Sequence, residues 1–195
     1  MLDLALILFA YFAGSLSTGV LVSRLLGIGD PRHDGSGNPG ATNVLRLGGR
    51  SAGAMTLFGD ALKGVIPVLV GDALGLPGTT VAAIGGAAFL GHLFPVFFAF
   101  HGGKGIATGL GIFLAWSWLP GLVAVLIWLV VAGLTRLSSL AALVSFALAP
   151  AVLLLIDRSP AFATVAAGMA LLTTWRHRSN IRRIAGGTEP RIGRR

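Results

Sequence analysis

Cysteine is absent from the 195 residues, which excludes disulfides, thiolate metal sites and a cysteine nucleophile. Charge is scarce as well: Asp, Glu, Lys and Arg make up 11% of the chain, against about 25% in an ordinary soluble domain. Only seven side chains are acidic, and tyrosine occurs once. A water-soluble globule of this length needs more polar surface than 15 basic and 7 acidic side chains supply. What is abundant is apolar: 54% of the residues are hydrophobic, 29 more are glycine, and the mean hydropathy is +0.84. The composition is that of an integral membrane protein.

A helix needs about 20 apolar residues to cross a hydrocarbon core of ~30 Å. Seven segments qualify: 4–22, 51–70, 80–98, 106–118, 121–134, 140–156 and 161–175. The fourth and fifth are short and separated only by Leu119-Pro120, so six spans is the alternative count. The expectation is an all-α polytopic membrane protein, one domain over 1–195. The N-terminus lacks the positive region of a secretory signal and runs straight into further spans, so it reads as a retained helix. Small residues in the spans, such as Gly85-Gly86 and Gly105-x-x-x-Gly109, suit close helix packing.

Seven spans place Arg24, Arg32, Arg46, Arg50, Lys104, Arg136 and the tail from Arg176 to Arg195 on one side, with Arg158 on the other. The positive-inside rule then sets the N-terminus outside and the C-terminus in the cytoplasm. The cytoplasmic segments are about 23–50, 99–105, 135–139 and 176–195. This bias accounts for the net charge of +8 without invoking nucleic acid. It also gathers every polar, glycine-rich segment on one face.

Three such segments stand out. The first runs Asp34-Gly35-Ser36-Gly37-Asn38-Pro39-Gly40-Ala41-Thr42-Asn43 and on to Arg46 and Arg50. Glycines let successive amides turn around an anion, and the arginines offer planar donor forks for phosphate. Gly35-x-x-x-x-Gly40 resembles the spacing of a nucleotide P-loop, yet Ala41 stands where that motif requires lysine. The second ends His101-Gly102-Gly103-Lys104-Gly105, a lysine in a glycine turn just before a helix start, where amides and dipole favour an anion. The third is Arg176-His177-Arg178-Ser179-Asn180-Ile181-Arg182-Arg183, with Gly186-Gly187-Thr188-Glu189-Pro190 after it. On a continuing helix His177 and Asn180 share a face. A smaller polar group, Thr135-Arg136-Leu137-Ser138-Ser139, lies on the same side. His92, at a span interior or edge, reads as a hydrogen-bonded structural histidine. Asp60 and Lys63, three apart within a span, read as a self-satisfying pair in a supporting role.

The carboxylates are too dispersed for a zinc or magnesium cage, so no metal and no cofactor is expected. No histidine has an aspartate five positions later, which removes the His-x4-Asp dyad of soluble-type glycerolipid acyltransferases. Several aspartates on one face, as a CDP-alcohol phosphatidyltransferase would want, are also missing. What survives is a cytoplasm-facing pocket rich in anion donors and poor in bases.

The three segments resemble the signature motifs of the bacterial acyl-phosphate:glycerol-3-phosphate acyltransferases, the PlsY family, and the likeness runs over essentially the whole chain. The resemblance implies transfer of the acyl group of a fatty acyl phosphate to the 1-hydroxyl of glycerol 3-phosphate. Lysophosphatidic acid and phosphate are the products, at the first step of bacterial phospholipid synthesis in the inner membrane. It also implies residue roles. Ser36, Arg46, Lys104, Ser139 and Asn180 hold glycerol 3-phosphate. Thr42, Asn43 and His177, with neighbouring loop amides, hold the donor phosphate, with Arg50 nearby, and Gly37, Asn38 and Gly103 also belong to the substrate-binding set. Lys104, His177, Ser36 and Arg46 are the catalytic set, and either the donor phosphate or His177 acts as base. His101 stands where relatives often carry a basic residue. The implied partners are membrane lipid and a soluble enzyme that makes acyl phosphate. The alternative reading is an anion or organophosphate transporter, whose site would lie nearer the midplane, often between repeated halves.

Overall fold

The computed structural model describes residues 1–157 and 159–193. Arg158, the lone basic residue expected on the outer side, and Arg194 and Arg195 of the tail lie outside the described residues. Among the described residues all regular structure is helical: α1 (Leu2–Gly14), α2 (Thr18–Leu25), α3 (Ala41–Ala73), α4 (Gly78–Leu93), α5 (Ile106–Trp116), α6 (Trp118–Thr135), α7 (Ser138–Val152), α8 (Pro160–Arg176) and α9 (Arg178–Ala185). A 3-10 turn follows α4 at Val96–Phe98, and a π turn follows α7 at Leu153–Asp157. Four segments are long and apolar enough to cross a membrane: Ala41–Ala73, Gly78–Phe98, Trp118–Thr135 and Ser138–Asp157. The bent pair α1 and α2 makes a fifth if taken as one span, while α5 is a shorter apolar helix.

Several expected boundaries move, each for a local reason. The 4–22 segment is not one helix; it bends by 43° between α1 and α2. There Ser15 Oγ donates to the Tyr11 carbonyl at 2.8 Å, the back-bonding that bends helices. The expected 23–50 loop is helical from Ala41, and α3 carries a kink at Gly49, whose φ of 81° only glycine adopts readily. Arg46 and Arg50 therefore flank a break and do not share a regular helical face. Leu119-Pro120 does not separate the fourth and fifth segments. The break is at Ser117, and Pro120 sits in the first turn of α6, where a missing N–H costs nothing. Ser139, expected in a loop, lies in the first turn of α7.

The chain divides into two compact units, Met1–Ile112 and Phe113–Arg195, and the division falls within α5. In the first unit α1 packs closely on α4. A Cβ on Gly14 would collide with the backbone of Ala88, and one on Gly91 with the Tyr11 carbonyl. Tyr11 closes the contact by donating its hydroxyl to the Phe94 carbonyl at 2.8 Å. Gly64 and Gly111 likewise let α3 approach the α5 segment at Thr108 and Ala61. Small residues at helix contacts are how membrane helices gain dispersion contact without a hydrophobic drive between them.

In the second unit α6 and α7 form a hairpin through Arg136, a left-handed residue with φ 59°. Thr135 Oγ1 accepts from the Leu137 amide at 3.1 Å and stiffens that turn. Ser145 Oγ donates across the hairpin to the Ala124 carbonyl at 2.7 Å. Trp116 stacks on Phe162 with ring centroids 5.0 Å apart, and Phe113 packs against Phe146 at 5.2 Å. Ser159 caps α8 and Pro160 occupies its first position, where proline is favoured.

Candidate active site

The Asp34–Asn43 segment is a loop built around one side chain. Asn43 is 1% exposed. Its Oδ1 accepts from the Ser36 amide at 3.0 Å, and its Nδ2 donates to the carbonyls of Pro31 at 3.0 Å and Asp34 at 2.9 Å. Gly35 and Gly37 carry the positive φ angles of 64° and 69° that this curl requires. A Cβ on Gly35 would collide with Asn43 Oδ1, so the loop closes directly onto the asparagine. Both Asn43 amide hydrogens serve the loop, and its backbone N–H donates to Gly40. Its side-chain donors are thus committed to the loop expected to hold phosphate, and Asn43 gives that loop its shape. Ser36 is exposed, Asn38 and Thr42 are half-buried, and no side chain caps α3. Its first amides, behind Pro39-Gly40, form a helix N-terminus open to an anion. Arg46 and Arg50 are exposed.

Arg32 joins this loop to the next segment. It pairs with Asp30 at 2.6 Å, and its guanidinium carbon lies 5.6 Å from the centroid of the Phe98 ring. The Arg32 hydrogen bonds hold the Asp30 carboxyl down to about 2, so the pair stays charged at neutral pH. Beyond Phe98, Ala99 and Phe100 both take left-handed backbone angles, φ 50° and 60°. Two such non-glycine residues in succession are uncommon and strained. They are held by the Phe100 and His101 amides, which donate to Pro95 and Phe98. His101 turns its Nδ1–H to the Ala99 carbonyl at 2.7 Å and is exposed.

The Gly102–Gly105 turn then folds back on the end of α4. The Gly103 amide donates to the His92 carbonyl at 3.2 Å. A Cβ on Gly102 would meet the His92 and Leu93 carbonyls, one on Gly103 the His92 ring, and one on Gly105 the Phe89 ring. All three glycines are required by close approach. The result presents Lys104, half-buried, immediately before α5.

His92 itself is buried and structural, as expected. Its Nδ1 lies 3.1 Å from Thr108 Oγ1, and that hydroxyl donates to the Asp60 carbonyl at 2.8 Å. The threonine proton is thus spent, and His92 Nδ1–H must be the donor between them. Asp60 and Lys63 pair at 2.9 Å, and Lys63 Nζ also donates to the Leu16 carbonyl at 2.7 Å. That carbonyl lies in the break between α1 and α2, so the lysine satisfies a group the bend left open.

In the second unit the third segment is not a continuing helix. α8 ends and α9 begins at His177, which is 2% exposed. Its Nδ1 lies 2.8 Å from the Thr173 carbonyl, and since a carbonyl only accepts, Nδ1 carries the hydrogen. Nε2 is then the basic nitrogen of the neutral ring. Ser139 and Asn180 meet through Glu189, to which the sequence alone assigns no role. Ser139 Oγ and Asn180 Nδ2 both donate to Glu189 Oε1, at 2.7 and 2.6 Å. Arg183 Nε donates to Glu189 Oε2 at 2.7 Å. Burial alone would raise the Glu189 carboxyl; these hydrogen bonds outweigh it and hold the pKa below the usual glutamate value. The tail is thereby folded back, and the Ile192 amide reaches the Arg136 carbonyl at 2.7 Å. The available signal was that Glu189 is the sole carboxylate after Asp157, set among arginines.

Residues 4–187 match the family model described as glycerol-3-phosphate acyltransferase. The chain belongs to the glycerol-3-phosphate acyltransferase family. A glycerol-3-phosphate acyltransferase of Halorhodospira halophila is 52% identical over 193 residues, covering 99% of this chain and 98% of that one. One of Thioalkalivibrio sulfidiphilus is 52% identical over 189 residues, 97% of this chain and 93% of the relative. The crystal structure of PlsY (YgiH), an integral membrane glycerol 3-phosphate acyltransferase, in its glycerol 3-phosphate form superposes with a TM-score of 0.94. The two are 39% identical over 99% of this chain and 96% of that one. The lysophosphatidic acid form superposes with a TM-score of 0.91 at 38% identity. The chain is thus an integral membrane glycerol-3-phosphate acyltransferase by family, and the transporter reading has nothing to support it.

Proposed function

We propose that the chain moves the acyl group of a fatty acyl phosphate to the 1-hydroxyl of glycerol 3-phosphate, releasing lysophosphatidic acid and inorganic phosphate. The observation that carries this reading is the Asn43-locked glycine loop, which opens onto an uncapped helix N-terminus with exposed Arg46 and Arg50. Two phosphorylated substrates need anion donors in number, and the chain has them in this loop, in the Lys104 turn and among the arginines of α9. In the first unit Ser36, Arg46 and Lys104 take the acceptor phosphate. Thr42, Asn43 and the neighbouring loop amides take the donor phosphate, with Arg50 beside them. In the second unit Ser139 and Asn180 serve the acceptor, and His177 the donor.

The step balances simply. The acceptor hydroxyl oxygen bonds to the acyl carbon, the acyl carbon–phosphate oxygen bond breaks, and the hydroxyl proton passes to the departing phosphate or first to His177 Nε2. An acyl phosphate is already activated, so the protein's share is orientation and stabilisation of the developing oxyanion. Transfer without a metal ion is part of the proposal, and a chelator tests it. Seven spans, an outside N-terminus and a cytoplasmic C-terminus complete the proposal. They place the site at the inner face of the bacterial inner membrane, supplied by a soluble enzyme that makes acyl phosphate.

The test is phosphate release from purified protein in lipid, given palmitoyl phosphate with and without glycerol 3-phosphate. Acceptor-dependent release with equimolar lysophosphatidic acid, insensitive to a metal chelator and nearly lost in Lys104→Ala, is the expected result. A folded sample inert with palmitoyl phosphate but active with acyl-CoA would overturn the donor assignment.

A further inference from the structure

The Asp60, Lys63, His92 and Thr108 side chains are all buried, at 2%, 8%, 7% and 0% exposure. They come from three different helices, α3, α4 and α5. A buried ion pair is weak as a source of stability, because well-packed apolar residues of similar volume do as well. Ionisable groups at membrane depth therefore invite a functional explanation. Lys63 has a structural one in the Leu16 carbonyl. Asp60, Thr108 and His92 are not explained by it.

The direction of the contacts supplies the explanation. Thr108 is fixed to the Asp60 carbonyl, and His92 Nδ1 is fixed to Thr108 and lies 3.6 Å from Asp60 Oδ1. The imidazole is thus set in one orientation, and its opposite edge, Nε2, faces Gly103 so closely that no Cβ fits between them. The same residue's carbonyl receives the Gly103 amide. Both the ring and the backbone of His92 therefore define where the turn carrying Lys104 lies.

We propose that His92, oriented by Thr108 and Asp60, is a positioning residue for Lys104: the buried cluster is a rigid seat that fixes the Gly102–Gly105 turn and so the lysine that receives the acceptor phosphate. This rests on the acyl-transfer reading above, in which Lys104 binds glycerol 3-phosphate. Displacing a binding group by about 1 Å costs on the order of 10²-fold in productive encounters, so loosening the seat weakens acceptor use without touching the donor.

Three variants in full-length protein test this: Thr108→Val, which keeps shape and removes the hydroxyl; His92→Phe, which keeps a ring and removes its donor; and His92→Asn, whose amide can stand in for Nδ1. Thr108→Val and His92→Phe are expected to raise the glycerol 3-phosphate KM at least tenfold while the palmitoyl phosphate KM stays within twofold. His92→Asn, which restores the donor to Thr108 but not the ring edge on Gly103, is expected to recover part of the loss. Hydrogen exchange of the 103–105 amides in substrate-free protein supplies a readout independent of turnover, with exchange at least tenfold faster in Thr108→Val than in wild type. Equal shifts in both KM values, or unchanged exchange at the turn, overturn the proposal. If wild-type protein fails to use the substrates, the acyl-transfer reading falls and the exchange comparison alone decides whether His92 seats the turn.

Discussion

Asn43→Ala separates a residue that shapes a loop from one that grips a ligand. The substitution removes three hydrogen bonds, to the Ser36 amide and to the Pro31 and Asp34 carbonyls. At a net ~1 kcal/mol each they amount to about 3 kcal/mol. Asp34 and Ser36 are exposed, so water re-partners part of that loss and about 2 kcal/mol remains. Since 1.4 kcal/mol is tenfold, the closed loop loses about 30-fold in population relative to open forms. The assay is hydrogen exchange of the Ser36 amide in protein without substrate, read beside acceptor KM. Exchange about 30-fold faster and a raised KM, in a protein that keeps its helices, are the expected outcomes. A ligand-only asparagine gives the same KM effect with no change in substrate-free exchange, and that result would refute the reasoning.

Two other predictions follow from single contacts. The folded Glu189 carboxyl lies below its ordinary value, so its contribution is complete above the ordinary glutamate range and disappears as pH falls through the folded value. Acid should therefore release the 186–193 tail to proteolysis, Glu189→Gln should weaken its hold already at neutral pH, and a tail equally protected in both would remove Glu189 as the anchor. Gly91→Leu forces a side chain against the Tyr11 carbonyl and Ser15 amide; overpacking onto backbone should cost about 3 kcal/mol, seen as a lowered thermal midpoint in detergent, whereas Gly133→Leu, with open space around it, should leave the midpoint in place.

The parts of the molecule legible in sequence are those where residue type alone constrains geometry. Apolar runs of helical length announce α3, α4, α6 and α7 because a bilayer leaves backbone polar groups no other partner. Gly35, Gly37 and Gly105 announce turns because the backbone there needs positive φ. The Asp60–Lys63 pair was legible because a spacing of three puts both on one helix face. What was not legible depends on who stands opposite. The bend after Gly14 comes from one serine hydroxyl choosing a carbonyl four residues back. The place of Asn43 depends on a loop curling over it, and nothing in its own neighbourhood says whether its amide points inward or outward.

Glu189 shows the same limit from the other side and explains why the tail is more than positive-inside charge. Fifteen basic residues against seven acidic ones make any arginine in this chain easy to read as an anchor for lipid headgroups. A single carboxylate changes that reading, because it gives Arg183 a fixed partner and draws Ser139 and Asn180 to one point. Ser139 and Asn180 are then ordered without any substrate, and an anionic ligand that reaches them has to take their donors from Glu189. The first unit reaches the same end by different means: Asn43 orders the loop at Ser36, and His92 orders the turn at Lys104. In both units a polar side chain with no freedom of its own fixes its neighbours before any ligand arrives. With the proposed acyl phosphate donor, already activated, such prior ordering is the largest contribution the protein can make.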